Sequence, residues 1–329
     1  IGTPGGDRQW MALYDPQPSD HTISPYKGVV PLNYMEYADQ TSGDAVDMST
    51  DGVDYSRIAG AYANDNKHSP NHGVPLVDQH TGRFLGMTSD GKSNSLALAV
   101  GVPDSRGMLT FHYNPMVSGL PGSPETLFPV LAQDGARTLY AVWIDDKTYS
   151  VWYSWALPGA DNEWKHWHAP IKVSKAPANV NVFPWIAAGK APGIVDIAWY
   201  GTNQTLKQLG SAGPSAKKGQ TWELWFTQVD HASSGRPHAV QVKAAPHPMH
   251  YNDICLLGTA CITGQGNRNQ ADFFKMTVNP RNGRAMIIYT DSSNRLSQAA
   301  NTDTAADHQG AALDTVVTQN TGLSALDGK

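Results

Sequence analysis

The stretch "NVFPWIAAG" at 181–189, followed by "VDIAWYGT" at 195–202, decides how the chain is read. A polar residue opens it, a bulky residue and a proline follow, and a short apolar run closes on small residues. Gly, Lys, Ala and Pro then mark a turn, and the second run is rich in Trp and Tyr. The same pairing recurs along the chain. "DRQWMALYD" (7–15), "NHGVPLVDQ" (71–79), "TLFPVLAQD" (126–134) and "QADFFKMTVNP" (270–280) match the first run. "VVPLNYMEYAD" (29–39), "LYAVWIDD" (139–146) and "AMIIYTD" (285–291) match the second. Pro75, Pro129 and Pro184 stand 54 and 55 residues apart.

Short β-rich runs separated by Gly, Pro, Asn and Asp predict an all-β chain, and helical periodicity is hard to find. A four-stranded unit repeating every ~40–50 residues is the signature of a propeller blade. Such a unit cannot bury both faces alone and must pack on its neighbours. The expectation is a single β-propeller domain over 1–329, built of four-stranded blades. Five repeats are recognisable. Six blades remain open, through one degenerate repeat or a missing N-terminal portion. Residues 10–14, 74–78, 128–132, 183–188 and 272–278 are the expected innermost strands, where Ala12, Ala132, Ala187 and Ala188 suit a narrow axis.

Bulk composition excludes some classes. With 24 Lys and Arg against 29 Asp and Glu, the net charge of −5 gives no reason to expect nucleic acid. No apolar run approaches the ~20 residues of a transmembrane helix. The chain does not begin with Met, so Ile1 reads as the start of a mature, trimmed or partial chain. Both cysteines, Cys255 and Cys261, sit in "HYNDICLLGTACITGQGNRNQADFF" (250–274). A C-x5-C spacing fits no common zinc pattern, and a second pair is missing. A disulfide is the reading adopted, with two buried thiols as the alternative. It implies an extracellular or cell-surface location.

"STDGVDY" (49–55), "DSRGMLTF" (104–111) and "SAKKGQTW" (215–222, with Lys217 in the Asp position) are similar to the Asp box of bacterial neuraminidase repeats. In that motif an Asp side chain binds the amides of a turn between outer strands. With "LFPVLAQD", "VFPWIAAG", "HYNDIC", "NRNQADFF" and "RAMIIYTD", the chain resembles bacterial sialidase-like Asp-box propellers over roughly residues 7–292. The resemblance implies a sialidase-like glycosidase or glycan-binding protein.

In a propeller the loops leading into the innermost strands share one face with those joining second and third strands, and ligand sites collect there. The sialidase chemistry implied by the resemblance needs an arginine clamp for the sugar carboxylate, a Tyr activated by a carboxylate, and an acid for the leaving oxygen. The expected catalytic groups are Tyr200, Tyr251, Asp145 and Asp291. The expected substrate-binding groups are Arg8, Arg268, Asp7, Asp272, His72 and Asp253. Only Arg8 and Arg268 stand out as clamp arginines, and the Arg-Ile-Pro motif of the family is absent. The alternative is therefore a non-catalytic propeller for glycans or a cell-surface protein partner. No cofactor is required; Ca²⁺ is compatible with the acidic face, and any metal ligand set is unknown. "WKHWH" (164–168) reads as a strand end and turn.

Overall fold

A computed structural model describes residues 7–15, 32–39, 43–55, 57–62, 73–89, 94–124, 128–217, 219–256, 261, 266–267, 269–270, 274–294, 297 and 312–329. Among the described residues the secondary structure is β apart from a short helix, α1 (Leu206–Leu209), a 3₁₀ segment (Gly210–Ser215) and a helical residue at Cys261. Five antiparallel sheets follow one another along the sequence. The first contains β1 (Asp7–Tyr14), β2 (Leu32–Asp39), β3 (Gly43–Ser49) and β4 (Arg57–Tyr62). The second contains β5 (Leu76–Val77), β6 (Phe84–Thr88), β7 (Leu96–Pro103) and β8 (Leu109–Val117). The third contains β9 (Val130–Gln133), β10 (Leu139–Ile144), β11 (Val151–Ala156) and β12 (Ile171–Lys172). The fourth contains β13 (Val180–Ala188), β14 (Val195–Thr202), β15 (Thr221–Asp230) and β16 (His238–Lys243), with β17 (His250–Tyr251) added beside β15. The fifth contains β18 (Phe274–Val278), β19 (Ala285–Asp291) and β20 (Leu313–Thr318).

Each of the five expected segments opens its own sheet. First strands also lie against first strands: β1 packs on β5, β9 on β13 and β13 on β18. A parallel bridge from Val74 to Val130 joins the second and third sheets in the same way. Gly73 stands beside that bridge. A Cβ there would collide with the carbonyl oxygen of Pro129, so glycine permits the close approach of the two strands.

Central strands are buried on both faces, which is why β10 and β14 read as nearly unbroken apolar runs. Trp143 and Trp199 are fully buried on these equivalent second strands. The first strands meet through aromatic rings. Trp10 of β1 meets Trp185 of β13 edge-on at 6.3 Å, and Trp185 meets Phe274 of β18 at 6.4 Å. Phe128 and Phe183, both just before a proline, share a left-handed backbone (φ 49° and 52°) and stack at 6.3 Å. That conformation is strained for a phenylalanine. Its recurrence shows two repeats using the same local device.

Asp or Asn opens the turn between first and second strands in the second, third and fifth sheets. Asp78 accepts the Gly82 amide on its carbonyl, Asp134 the Arg137 amide, and Asn279 the Gly283 amide. Two of the three Ser/Asp/Gly turn motifs, 49–55 and 104–111, connect third to fourth strands. Asp51 accepts the amides of Val53 and Asp54, which hold its carboxyl down at about 2. Asp104 accepts those of Arg106 and Met108. The third motif is a correction: 215–222 joins β14 to β15, a second-to-third connection. Its Lys217 lacks the carboxylate that would order the expected turn.

Two buried titratable groups give stability opposing pH slopes. Burial raises the Asp196 carboxyl from 3.8 to about 7, against the partial relief of its bond from Gln228 and the Arg284 charge. Burial lowers His250 from 6.5 to about 4, against its bond to the Asp253 carbonyl. Near pH 5 the unfolded chain has lost the Asp196 proton and kept that of His250, while the folded chain does the opposite. Asp196 therefore costs stability as pH rises from about 4 to about 7, and His250 adds it as pH rises from about 4 to about 6.5. The two nearly cancel across the shared window. Asp196→Asn should unmask the His250 slope, so melts of that variant should show stability climbing with pH where wild type is flat. A variant as flat as wild type would contradict this.

Candidate functional site

The best-defined cluster on the face expected to carry the site lies where the fourth and fifth sheets meet. β15 starts there, β19 ends there, and the loop after β16 crosses it. Thr221 pairs with Tyr251 and Trp222 with His250. Side chains alternate along a strand, so Glu223 falls on the same side as Thr221, diagonal to Tyr251 and within reach of a long side chain. Tyr251 is 8% exposed. Burial, then the charges of Glu223 and Asp291, raise its phenol above the usual range. One Glu223 oxygen takes Lys243 Nζ at 2.8 Å; the other is buried with no partner among the described residues.

Asp291, at the end of β19, is fully buried. It accepts from Ser293 Oγ at 2.6 Å and lies 2.7 Å from His247 Nε2. His247 is partly exposed, so the buried carboxylate reaches the surface through an imidazole. Beneath them His250 is neutral: Nε2 donates to the Asp253 carbonyl at 3.0 Å, and Nδ1 accepts from Ser292 Oγ at 2.6 Å.

The loop bearing Tyr251 is tied down covalently. Cys255 and Cys261 form a disulfide with Cα atoms 5.9 Å apart. The Cys255 amide donates to Asn267 O, and the Asn267 amide donates to Asp253 Oδ2 at 3.0 Å. A Cβ on Gly266 would come within 2.6 Å of the Cys255 sulfur, so glycine closes the loop against the bridge. The short covalent loop is worth about 2 kcal/mol in the chain-entropy account. Cys255→Ser/Cys261→Ser should lower the melting temperature by that modest amount and loosen Tyr251 more than the core. Hydrogen exchange checks this: protection lost uniformly across the five sheets would be the contrary result.

Several expected site residues have other work. Tyr200 is fully buried, packed 4.9 Å from the Phe274 ring. Its hydroxyl accepts the Thr290 amide at 3.3 Å, and burial raises its pKa further from use as a nucleophile. Asp145 is fully buried as a turn cap, accepting from the amides of Lys147 and Thr148, from the Thr148 hydroxyl and from Trp152 Nε1. Asp253 spends its carboxylate on the loop backbone. These three positions are corrections to the expected mouth. Tyr251 and Asp291 are brought together. Asp7 and Arg8 are placed only as backbone of β1, and His72, Arg268 and Asp272 lie outside the described residues.

Glu223 and His247 were not anticipated. Glu223 carried a signal: it is the one charge within "TWELWF". His247 carried none, because its meaning depends on Asp291 in the next sheet. "WKHWH" is structural, with His168 stacked on Trp155 at 3.5 Å and Trp164 donating to Arg137 O. Among the described residues no cluster of three or more acidic, His or Cys side chains could hold a metal.

A second feature lies at the other end of the first strands. Asp15, Asp78, Gln133, Ala188 and Val278, one at or just beyond the end of each, line one cavity of about 680 Å³.

No family model matches the chain, and no curated protein does. Among solved structures it is similar to an α-L-arabinanase of Penicillium chrysogenum, at 10% identity and a TM-score of 0.44, covering 90% of this chain and 80% of that one. It is similar to the GH43 endo-arabinanase of Bacillus licheniformis, at 13% identity and 0.41, covering 96% and 95%. It is also similar to the leech intramolecular trans-sialidase, at 10% identity and 0.42, covering 91% of this chain but 37% of that one.

Proposed function

We propose that the five sheets are blades of a closed, sialidase-like propeller. It binds glycans carrying acidic sugars at the mouth around Tyr251 and hydrolyses them with retention. The observation that carries this reading is a tyrosine flanked by two carboxylates on a disulfide-tied loop. The charges that raise the phenol pKa belong to groups able to take its proton, which is what a tyrosine nucleophile requires. In this reading Glu223 accepts the phenol proton as the Tyr251 oxygen attacks the anomeric carbon. His247, oriented by Asp291, protonates the departing oxygen, and water then releases the glycosyl group. Arg8 and Arg268 are proposed to hold the sugar carboxylate.

The disulfide supports an extracellular or cell-surface setting. No helix among the described residues is long and apolar enough to cross a membrane.

A second reading is a binding propeller without turnover. The burial of Tyr200 and Asp145 favours it, because it removes two reactive groups from the mouth. Fluorogenic sialosides and uronides, with neutral glycosides beside them, separate the two. Release from an acidic glycoside supports hydrolysis. Capture on a glycan array without release supports the second reading, and neither release nor capture would defeat both.

A further inference from the structure

The cavity at the far end of the first strands carries an inference independent of the Tyr251 mouth. Three of its charged groups are already committed: Arg137 binds Asp78 through two nitrogens, at 3.1 and 2.8 Å. Asp134 is satisfied by the amides of Ala136, Thr138 and Gly193 and by the Tyr140 hydroxyl. Gln79 accepts the Asp15 amide and donates to the Leu13 and Val77 carbonyls, and His80 lines the cavity beside it. Three further polar groups line it. The carboxylate of Asp15 and the ammonium of Lys190 have no partner among the described residues. Neither does Gln133 Nε2, which is buried. A buried amide N–H without an acceptor is costly and calls for an occupant. Between these groups the wall is apolar, formed by Ala188, Val278 and Leu326. An anion would meet Asp15, and a cation would meet Lys190. An uncharged ligand with many hydroxyls can donate to the first, accept from the second and from Gln133, and lay an apolar face on the wall. The volume is in the range of small-ligand sites.

We infer that this cavity is a second binding site, for one or two neutral sugar units. Saturation-transfer NMR and calorimetry would use lactose and xylobiose as neutral probes, sialic acid as the anionic probe and glucosamine as the cationic one. Neutral sugars should bind saturably, with a dissociation constant of about a millimolar. Gln133→Leu should weaken that binding at least about fivefold without loss of fold, since an apolar isostere replaces an unpaired amide. Asp15→Asn/Lys190→Met, on exposed positions, should weaken it as well. Tyr251→Phe should leave it unchanged, which keeps this site distinct from the proposed mouth. Three results would overturn the inference: no saturable neutral-sugar binding, binding indifferent to both the Gln133 and the Asp15/Lys190 variants, or a preference for an ionic probe.

Discussion

Tyr251→Phe is expected to lower glycoside turnover at least about a thousandfold, or about 4 kcal/mol of barrier, while leaving the fold intact. Only the hydroxyl is lost, so packing of the ring against β15 persists. The loss should fall on kcat, because the phenol oxygen forms its bond in the transition state and contributes little to holding the substrate. Glu223→Gln should fall in the same direction but by less, since another acceptor can take a proton. Tyr200→Phe is the control: it removes a buried hydroxyl 3.3 Å from the Thr290 amide and should leave turnover unchanged. Kinetics of the three variants on the best acidic glycoside check this. Equal losses at Tyr200 and Tyr251 would point to general destabilisation instead.

The largest expected effect on stability is at Trp199. Its side chain is fully buried in the main core cluster, and its residue pairs with Trp225 across β14 and β15. Trp199→Ala should destabilise by about 3–5 kcal/mol, combining lost burial with the cavity left behind. That is a large share of the ~5–15 kcal/mol typical of a domain. Trp199→Phe should cost much less. The indole nitrogen has no partner among the described residues, so removing it takes away an unpaired donor and leaves most of the ring volume. Denaturant titration of both variants provides the check. Comparable losses would mean that the nitrogen has an acceptor and that its hydrogen bond, rather than the filled volume, stabilises the core at this position.

Much of the fold was legible because it follows from local rules repeated five times. Phe-Pro stands just before the first strand of the third sheet and at the register shift inside that of the fourth. An Asp or Asn marks the turn that follows the first strand in the second, third and fifth sheets. What failed is set by depth and by contacts between sheets. Tyr200 and Tyr251 both stand near strand ends on one face, and nothing local separates them. Burial among Phe183, Phe274 and Thr290 assigns one to the core. Asp145 has the composition of a site carboxylate, but its own turn consumes it. The Lys217 motif matched in shape and not in place, because helix α1 and the 3₁₀ segment lengthen the connection before β15. The pairing of His247 with Asp291 joins a loop of the fourth sheet to a strand of the fifth, 44 positions apart. The cavity gathers one residue from each sheet, so no single repeat announces it.

The most direct test of the proposed mouth is covalent trapping. A fluorinated glycosyl fluoride of the preferred acidic sugar should form a glycosyl-enzyme quickly and break it down slowly, because the fluorine destabilises the second transition state. Peptide mass spectrometry of the trapped protein is expected to place the added sugar on Tyr251. Absence of any adduct, or an adduct on Glu223 or another residue, would contradict the account.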